Sequence, residues 1–334
     1  MIEWLEQALN GLANLFPANS WLSASFNIRA FVALVLVSMI CGAVGSLVVG
    51  NRMAFFSDAL AHCAFAGVTL GLIMALAIGQ GPDSWIVPAV MVLSGVAFGI
   101  GIAFVRERTG LANDTIIGVF FAFAVGFGGM LFASLQRRSL SPENFLFGNP
   151  LAASAQNILM LLILALVTII VLSRRYNQFV LSSFSPSLAR SRQVPIHLSN
   201  YLFIILLAFI VNLCLTAVGA LLINAMLVVP AATAANFGRN LRQMFWISVV
   251  LSLAASVGGL WISNTVSLPI GQARELEFAP AGTVVVISVI VFFVSVAWKS
   301  LRERPPRSAP SLALVNGPPD NARDDREPAP GGPT

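Results

Sequence analysis

Residues 45–71 read GSLVVGNRMAFFSDALAHCAFAGVTLG, and two of their features decide the fold. Apolar runs lie on both sides of Arg52, and the run that follows it carries Asp58 and His62. A helix rises about 1.5 Å per residue, so roughly 20 apolar residues cross the hydrocarbon core of a membrane. The stretch therefore predicts the end of one membrane-spanning helix, a turn at Arg52, and a second spanning helix that takes two polar side chains into the membrane.

The composition of the whole chain agrees with a membrane protein. Of 334 residues, 57% are hydrophobic and 10% are charged, and the mean hydropathy is +0.85. Soluble domains carry about a quarter charged residues, so this composition excludes a soluble globular fold. The formal charge of +5 comes from short basic clusters between apolar runs. Nucleic-acid binding is not predicted, because no basic stripe with interleaved aromatic residues occurs. Cys41, Cys63 and Cys214 lie in apolar runs without CxxC spacing, which predicts free, buried thiols.

Apolar runs long enough to span a membrane recur along the chain and predict an all-α polytopic bundle with eight or nine spans. The uncertain run is 219–237, because Pro230 and Asn224 lie within it, and a broken or re-entrant helix is the alternative. We place the runs at 28–50, 53–79, 84–105, 112–134, 155–173, 199–217, 219–237, 243–267 and 280–298.

Three segments follow from this pattern. Residues 28–300 form the predicted membrane domain. Residues 1–27 contain no Lys or Arg, so a cleavable signal peptide is not predicted. Their apolar residues recur at helical spacing, which indicates a short amphipathic helix at the extracytoplasmic surface. Residues 301–334 are rich in Pro, Gly and Ala with mixed charges, which predicts a disordered cytoplasmic tail.

The loop charges predict the orientation. Cytoplasmic loops retain an excess of Lys and Arg. With nine spans and an outer N-terminus, the inner segments collect most basic residues, and the outer segments keep Arg29, Arg137, Arg138 and Arg274. The chain is therefore predicted to lie in the inner (plasma) membrane with its N-terminus outside and its C-terminus in the cytoplasm.

Asp58 and His62 are the residues whose chemistry points to function. They lie at positions i and i+4, so a helix presents them from one face a turn apart. The helical rise from Arg52 places them roughly 9–15 Å into the bilayer, where an unpaired carboxylate is costly. A divalent cation such as zinc or manganese would stabilise the pair, since carboxylate oxygen and imidazole nitrogen ligate both. An Asp–His hydrogen bond that joins helices is the alternative interpretation.

Four stretches resemble the permease subunits of ABC importers for zinc, manganese and iron. Residues 45–71 resemble the family's "R-M…D-x-x-x-H…G-V…G" segment. Residues 218–244, VGALLINAMLVVPAATAANFGRNLRQM, resemble its "VGALL…PAATA" segment. LFGNPLA at 146–152 and SFSPSLA at 183–189 resemble its "LFG…LA" and "SPxLA" elements, in the family's order. The chain departs from the pattern at Phe65-Ala66, where the family often has Leu-Pro, and after Ala189, where the family usually has a Gly-containing turn.

This resemblance implies a type II importer permease and a set of partners. It implies that Asp58 and His62 contact the passing metal, and that Ser185, Pro186, Leu188 and Ala189 dock on a cytoplasmic ATPase. The partners would be that ATPase, an extracytoplasmic metal-binding protein, and a second copy or a paralogous permease. No cofactor would be bound permanently, because the metal is substrate and the ATPase uses the ATP. The chain itself contains no GxxxxGK[ST] motif.

Several residues keep two interpretations. Asp114 is most simply a helix N-cap, with a metal relay as the alternative. Pro230, together with Asn224, either exposes backbone carbonyls to the metal path or kinks a packed helix. His197 is interpreted as interfacial. At the level of the protein, the alternatives are a secondary cation transporter using Asp58 and His62, or an ABC permease for an iron chelate or a cobalamin-type ligand.

Overall fold

The computed structural model describes residues 2–14, 17, 24–81, 84–135, 148–184, 191–192, 195–238, 240–270 and 274–302. Helices dominate these ranges, and they are numbered here in chain order. They are α1 (Ile2–Asn14), α2 (Ser25–Gly50), α3 (Ala54–Ala77), α4 (Ile86–Arg108), α5 (Asn113–Ser134), α6 (Ala155–Phe184), α7 (Ile196–Val218), α8 (Ala220–Phe237), α9 (Leu241–Thr265) and α10 (Pro280–Arg302).

The described residues contain 9 helices that are long and apolar enough to cross a membrane, namely α2 to α10. This confirms the predicted helical bundle and gives nine candidate spans among the described residues. Helix α8 is unbroken from Ala220 to Phe237 with Pro230 inside it, so the alternative of a broken or re-entrant helix is wrong. Pro230 has no backbone N–H, so the helix lacks one hydrogen bond at this position. Neighbouring helices bury the segment, and this packing allows the helix to continue.

The ends of α8 lie at opposite ends of the bundle. Its start, at Gly219, packs against Gly148. Its other end contributes Ala235 to a cavity that Arg52 and Arg106 also line. The helix ends predicted to be cytoplasmic therefore meet at one end of the bundle, as alternating spans require. Which end faces the cytoplasm stays a prediction.

Two left-handed glycines join distant parts of the sequence. Gly148 has a φ of 63° and Gly219 has a φ of 88°. A Cβ on Gly148 would lie 2.3 Å from the carbonyl oxygen of Val218. Both the positive φ and the close approach of two backbones require glycine here. The contact brings together two of the motifs noted above, one before α6 and one at the α7–α8 junction.

Two short elements lie outside the spanning helices. Helix α1 confirms the predicted N-terminal helix, and it buries Leu9 and packs on α2 and α6 while Trp4 stays exposed. Between α9 and α10, strands β1 (Ser267–Ile270) and β2 (Arg274–Glu277) pair antiparallel. The all-α prediction is thus correct for the spans but missed this hairpin. A strand pair needs only a few alternating residues and a turn, which are weak signals beside an apolar run.

Helix α3, which carries Asp58 and His62, is packed closely against α4. A Cβ on Gly67 would lie 2.9 Å from Met91 Cα, and one on Gly71 would lie 3.0 Å from Val87 Cα. Small residues at such contacts let helix backbones approach each other. Helix α5 packs along another side of α3, and α8 contacts it as well. These helices fix the position of the two polar side chains.

Candidate metal site on helix α3

The Asp58 carboxylate is held by a side chain from α8. Asn224 Nδ2 donates a hydrogen bond to Asp58 Oδ1 at 2.5 Å. The two residues are 166 positions apart in the chain. Asn224 was noted from the sequence as a residue of an uncertain segment, and the structure brings it directly to the predicted site. The side chain of Asp58 is still 47% exposed, so the carboxylate remains accessible.

His62 is oriented by its own helix. Its Nδ1 lies 3.0 Å from the backbone oxygen of Asp58 and 3.7 Å from Asp58 Oδ1. A carbonyl oxygen can only accept, so the shorter contact requires the proton on Nδ1. The neutral ring then keeps its lone pair on Nε2, which has no hydrogen bond among the described residues. A hydrogen bond at one ring nitrogen that frees the other for a metal is the usual arrangement of metal-binding histidines.

An aromatic ring from α5 covers the imidazole. The ring centroids of Phe121 and His62 lie 4.7 Å apart, with the planes tilted by 58°. This contact limits the rotation of His62. No sequence pattern distinguishes Phe121, because α5 contains several phenylalanines among apolar residues. Only the packing of α5 on α3 selects Phe121.

The site of one chain offers few metal ligands. Asp58 supplies carboxylate oxygen, His62 supplies nitrogen, and Asn224 contributes an amide. Within the described residues, no group of three or more His, Cys, Asp and Glu side chains could hold a metal ion. Closed structural zinc sites use four protein ligands. Within the described residues, one chain therefore supplies fewer such ligands than a closed zinc site uses.

Pro230 is not part of this cluster, and the four candidates of the predicted ATPase-docking segment cannot be compared with it. Ser185, Pro186, Leu188 and Ala189 lie outside the described residues. Pro230 lines a different cavity, between α8, α9 and α10, with Thr233, Ser288 and apolar residues. Residues six positions apart lie on different faces of an α-helix, so Pro230 and Asn224 point in different directions.

The prediction that Asp114 caps α5 is wrong. Ala112 is the N-cap and has extended backbone, and its carbonyl accepts from the amides of Thr115 and Ile116. Asp114 is exposed in the first turn, with no capping hydrogen bond from a side chain at this helix start. A carboxylate there still interacts favourably with the helix dipole.

His197 belongs to a second carboxylate–imidazole pair. Its Nδ1 lies 3.0 Å from Glu107 Oε1, and the Tyr201 hydroxyl donates to Glu107 Oε2 at 3.2 Å. These residues join the end of α4 to the start of α7, and the imidazole is 83% exposed. The exposed position agrees with the prediction that His197 is interfacial. No sequence pattern connects Glu107 to it.

One cavity of the described residues is lined by neither Asp58 nor His62. It has a volume of about 630 Å³ and lies at the end of the bundle where Arg52, Arg106, Ser199 and Asn200 meet. Two arginines make it a poor cation site. We therefore locate the candidate site by its ligand chemistry and not by cavity size.

Comparisons with known proteins agree with this architecture. The model of the ABC 3 transport family matches residues 23–299. The manganese transport system membrane protein MntC of Listeria monocytogenes is 28% identical over 273 residues, which cover 81% of this chain and 90% of that protein. The manganese import system permease protein ScaB of Streptococcus gordonii is 27% identical over 276 residues, covering 83% of this chain and 94% of ScaB.

A solved structure has the same fold. PsaBC from Streptococcus pneumoniae, determined in complex with a Fab, superimposes with a TM-score of 0.67 at 23% sequence identity. The match covers 88% of this chain and 95% of the other. At this identity the likeness extends to the fold of the helical bundle.

Proposed function

This chain belongs to the ABC 3 transport family, and on that premise we propose that it is the membrane permease of an importer for a divalent metal cation, with Mn²⁺ as the first candidate. Zn²⁺ and iron are the other candidates. The observation that carries the proposal is the Asp58–His62 pair on a spanning helix. The Asp58 side chain is 47% exposed and that of His62 is 26% exposed, and His62 Nε2 has no hydrogen bond among the described residues.

The exposure of Asp58 argues for an aqueous path. A carboxylate within a spanning segment is expensive in lipid, so such groups face the bundle interior, a water-filled cavity or a partner. Asp58 has a partner in Asn224 but keeps 47% of its side-chain surface exposed. A cation that passes over this surface would neutralise the carboxylate and bind the imidazole. Weak coordination by few ligands would then let the ion leave.

Manganese is favoured by two considerations. The relatives MntC and ScaB are named for manganese transport and import. Carboxylate oxygen and imidazole nitrogen suit manganese, whereas a thiolate would favour zinc or copper. The three cysteines are buried, and among the described residues none forms a hydrogen bond with Asp58 or His62.

The energy would come from a separate subunit. The sequence lacks a phosphate-binding GxxxxGK[ST] motif, so the permease itself would be non-catalytic. We propose that a cytoplasmic ATPase docks on the segment containing Ser185, Pro186, Leu188 and Ala189, which leads into α7. An extracytoplasmic binding protein would deliver the ion to the opposite end. In this arrangement the N-terminus is outside and the C-terminus is in the cytoplasm.

A second permease copy, or a paralogue, would complete the path. Helix α5, which flanks the site through Phe121, exposes Gly118, Ala122 and Gly126. A Cβ on either glycine would meet no atom within 4 Å. Small residues four apart on an exposed spanning helix are the pattern by which such helices pack closely together. A partner at α5 would cover this stripe and bring a second Asp–His pair near the first.

Metal uptake by intact cells tests the proposal. Cells that depend on this transporter should carry wild type, Asp58→Ala or His62→Ala, and radiolabelled Mn²⁺, Zn²⁺ and Fe²⁺ should be supplied separately. We expect both variants to lose uptake of the transported metal while the protein still accumulates in the membrane. Undiminished uptake by both variants would remove the metal-path proposal. Membership of the ABC family already argues against the secondary-transporter alternative, which requires no ATPase.

A further inference from the structure

Asn224 has more hydrogen-bonding capacity than its contact with Asp58 uses. Its Nδ2 donates to Asp58 Oδ1, but its Oδ1 is buried and has no hydrogen-bond partner among the described residues. An unsatisfied buried acceptor destabilises a protein, so an apolar residue here would avoid a cost. The rest of the α8 segment from Ala220 to Val229 is apolar. The amide is therefore an exception that needs a reason.

The hydrogen bond to Asp58 explains the Nδ2 group of Asn224 but not its Oδ1. Two oxygens at 2.5 Å would repel each other, so the N–H must face Asp58 when no cation is present. A hydroxyl or another donor could supply that hydrogen bond. The amide differs because its oxygen and nitrogen exchange places by rotation about one bond, with little change in shape.

We propose that Asn224 is a third metal ligand that acts by this rotation, an inference that rests on the proposed function. When a cation reaches Asp58, the amide turns and Oδ1 takes the place of Nδ2. The ion then lies between carboxylate oxygen, amide oxygen and His62 nitrogen. When the ion leaves, the N–H returns to Asp58 and stabilises the carboxylate in its place. The rotation thus supports both binding and release.

The amide oxygen would also affect the choice of metal. It is a neutral, hard ligand, and carbonyl and carboxylate oxygens suit Mn²⁺, whereas Zn²⁺ gains more from nitrogen and sulfur. A site with two oxygens and one nitrogen is therefore relatively better for Mn²⁺ than a site with one of each. Because the amide carries no net charge, it adds a ligand without making the site too tight to release the ion.

The decisive variant is Asn224→Leu, which has the same branching but neither the donor nor the oxygen. Uptake by cells should be measured over a range of Mn²⁺ concentrations, and again with Zn²⁺ as competitor, to obtain the ratio of apparent affinities. We expect the KM for Mn²⁺ to rise about 10-fold, as for loss of a supporting metal-site residue, with a much smaller change in inhibition by Zn²⁺. A change in this ratio would not follow from loss of a purely structural contact.

The chain offers a matched control in Asn212. This asparagine on α7 is also buried, its Nδ2 donates to the Ala208 carbonyl at 2.7 Å, and its Oδ1 likewise has no partner among the described residues. Among the described residues it forms no hydrogen bond with a carboxylate. Asn212→Leu should therefore leave the ratio of Mn²⁺ to Zn²⁺ affinity at the wild-type value, although it can lower the amount of protein in the membrane.

A second variant separates ligation from positioning and covers the case in which Asn224→Leu does not fold. Asn224→Thr keeps a hydroxyl that can donate to Asp58 but lacks the amide oxygen. If the amide oxygen is a ligand, this variant should shift the ratio of Mn²⁺ to Zn²⁺ affinity in the same direction as Asn224→Leu. If Asn224 only positions Asp58, the ratio should stay at the wild-type value.

The outcomes are distinguishable from failure of the proposed function. If Asp58→Ala and His62→Ala abolish uptake while both Asn224 variants keep the wild-type metal ratio, the ligand role is overturned and the permease function stands. If Asp58→Ala and His62→Ala transport normally, the metal path itself is wrong and the inference falls with it.

Discussion

The protein contains two carboxylate–imidazole pairs, and they differ in almost every physical respect. In the exposed pair, Glu107 and His197 meet directly at 3.0 Å, and Tyr201 occupies the other carboxylate oxygen. In the pair on α3, the imidazole instead contacts its own backbone, and its Nδ1 stays 3.7 Å from Asp58 Oδ1. The first pair is closed, and the second leaves ligand atoms available.

The difference shows that residue type does not determine role. Glu107 and His197 join the ends of two helices where water is present, and exposed pairs of this kind contribute little to stability. Asp58 and His62 lie on a spanning helix, where an ionisable pair is costly and is usually kept for function. The packing partners also differ, since Asn224 contacts Asp58 and Phe121 contacts His62.

The largest expected difference between the two pairs is in metal uptake after the charge of each carboxylate is removed in turn. Asp58→Asn keeps the shape of the side chain but removes the charged oxygen, and we expect metal uptake to fall by about 100-fold, the upper range for loss of a metal-site group. Glu107→Gln makes the same chemical change in the exposed pair and should leave uptake near wild type. Equal losses in radiolabelled Mn²⁺ uptake would show that the two pairs do not differ in function.

The imidazoles allow a parallel comparison with a smaller effect. His62→Gln retains a polar side chain without the ring nitrogen, so we expect the KM for metal uptake to rise about 10-fold. His197→Gln should not change it. Uptake kinetics at several metal concentrations measure both. A larger effect at His197 would assign the transport role to the Glu107–His197 pair.

The helix packing that positions α3 can be tested at its glycines. A Cβ on Gly67 would lie 2.0 Å from Ser94 Oγ and 2.9 Å from Met91 Cα, so Gly67→Leu should destabilise the bundle by about 1–3 kcal/mol or more through overpacking. Gly118 has open space, so Gly118→Leu should preserve the stability of the chain but weaken its association with a partner. Thermal unfolding in detergent measures the stability of each variant, and native mass spectrometry measures its association with a partner. Similar unfolding temperatures for both would contradict the packing described here.

The smallest expected effect is the change in the stability of the protein when either carboxylate is neutralised. Asp58→Asn removes a charge from a spanning helix, so its unfolding temperature should equal or exceed that of wild type. Glu107→Gln should lower stability by no more than about 1 kcal/mol, as for other exposed pairs. Thermal unfolding of the purified permease in the absence of metal checks both signs. A marked loss at Asp58 would indicate a structural role for the α3 pair.

Much of the site was predictable because it is local. Asp58 and His62 are a helical turn apart, so their common face follows from the helical repeat alone. Glu107 and His197 are 90 positions apart, and Asp58 and Asn224 are 166 apart, so no periodicity connects them. The capping prediction for Asp114 failed for a related reason. A cap depends on where the backbone turns helical, and the structure places that point at Ala112.

The sequence by itself determined that the chain is a bundle of apolar spanning helices, because runs of this length and hydropathy have no other stable environment than a membrane. It also determined which helix face carries the carboxylate and the imidazole. Only the tertiary structure decided that α8 crosses the bundle unbroken, that Asn224 meets Asp58, and that Phe121 covers His62. Those contacts depend on how tilted helices pack through small residues, and such packing joins positions that the linear order of the chain keeps far apart.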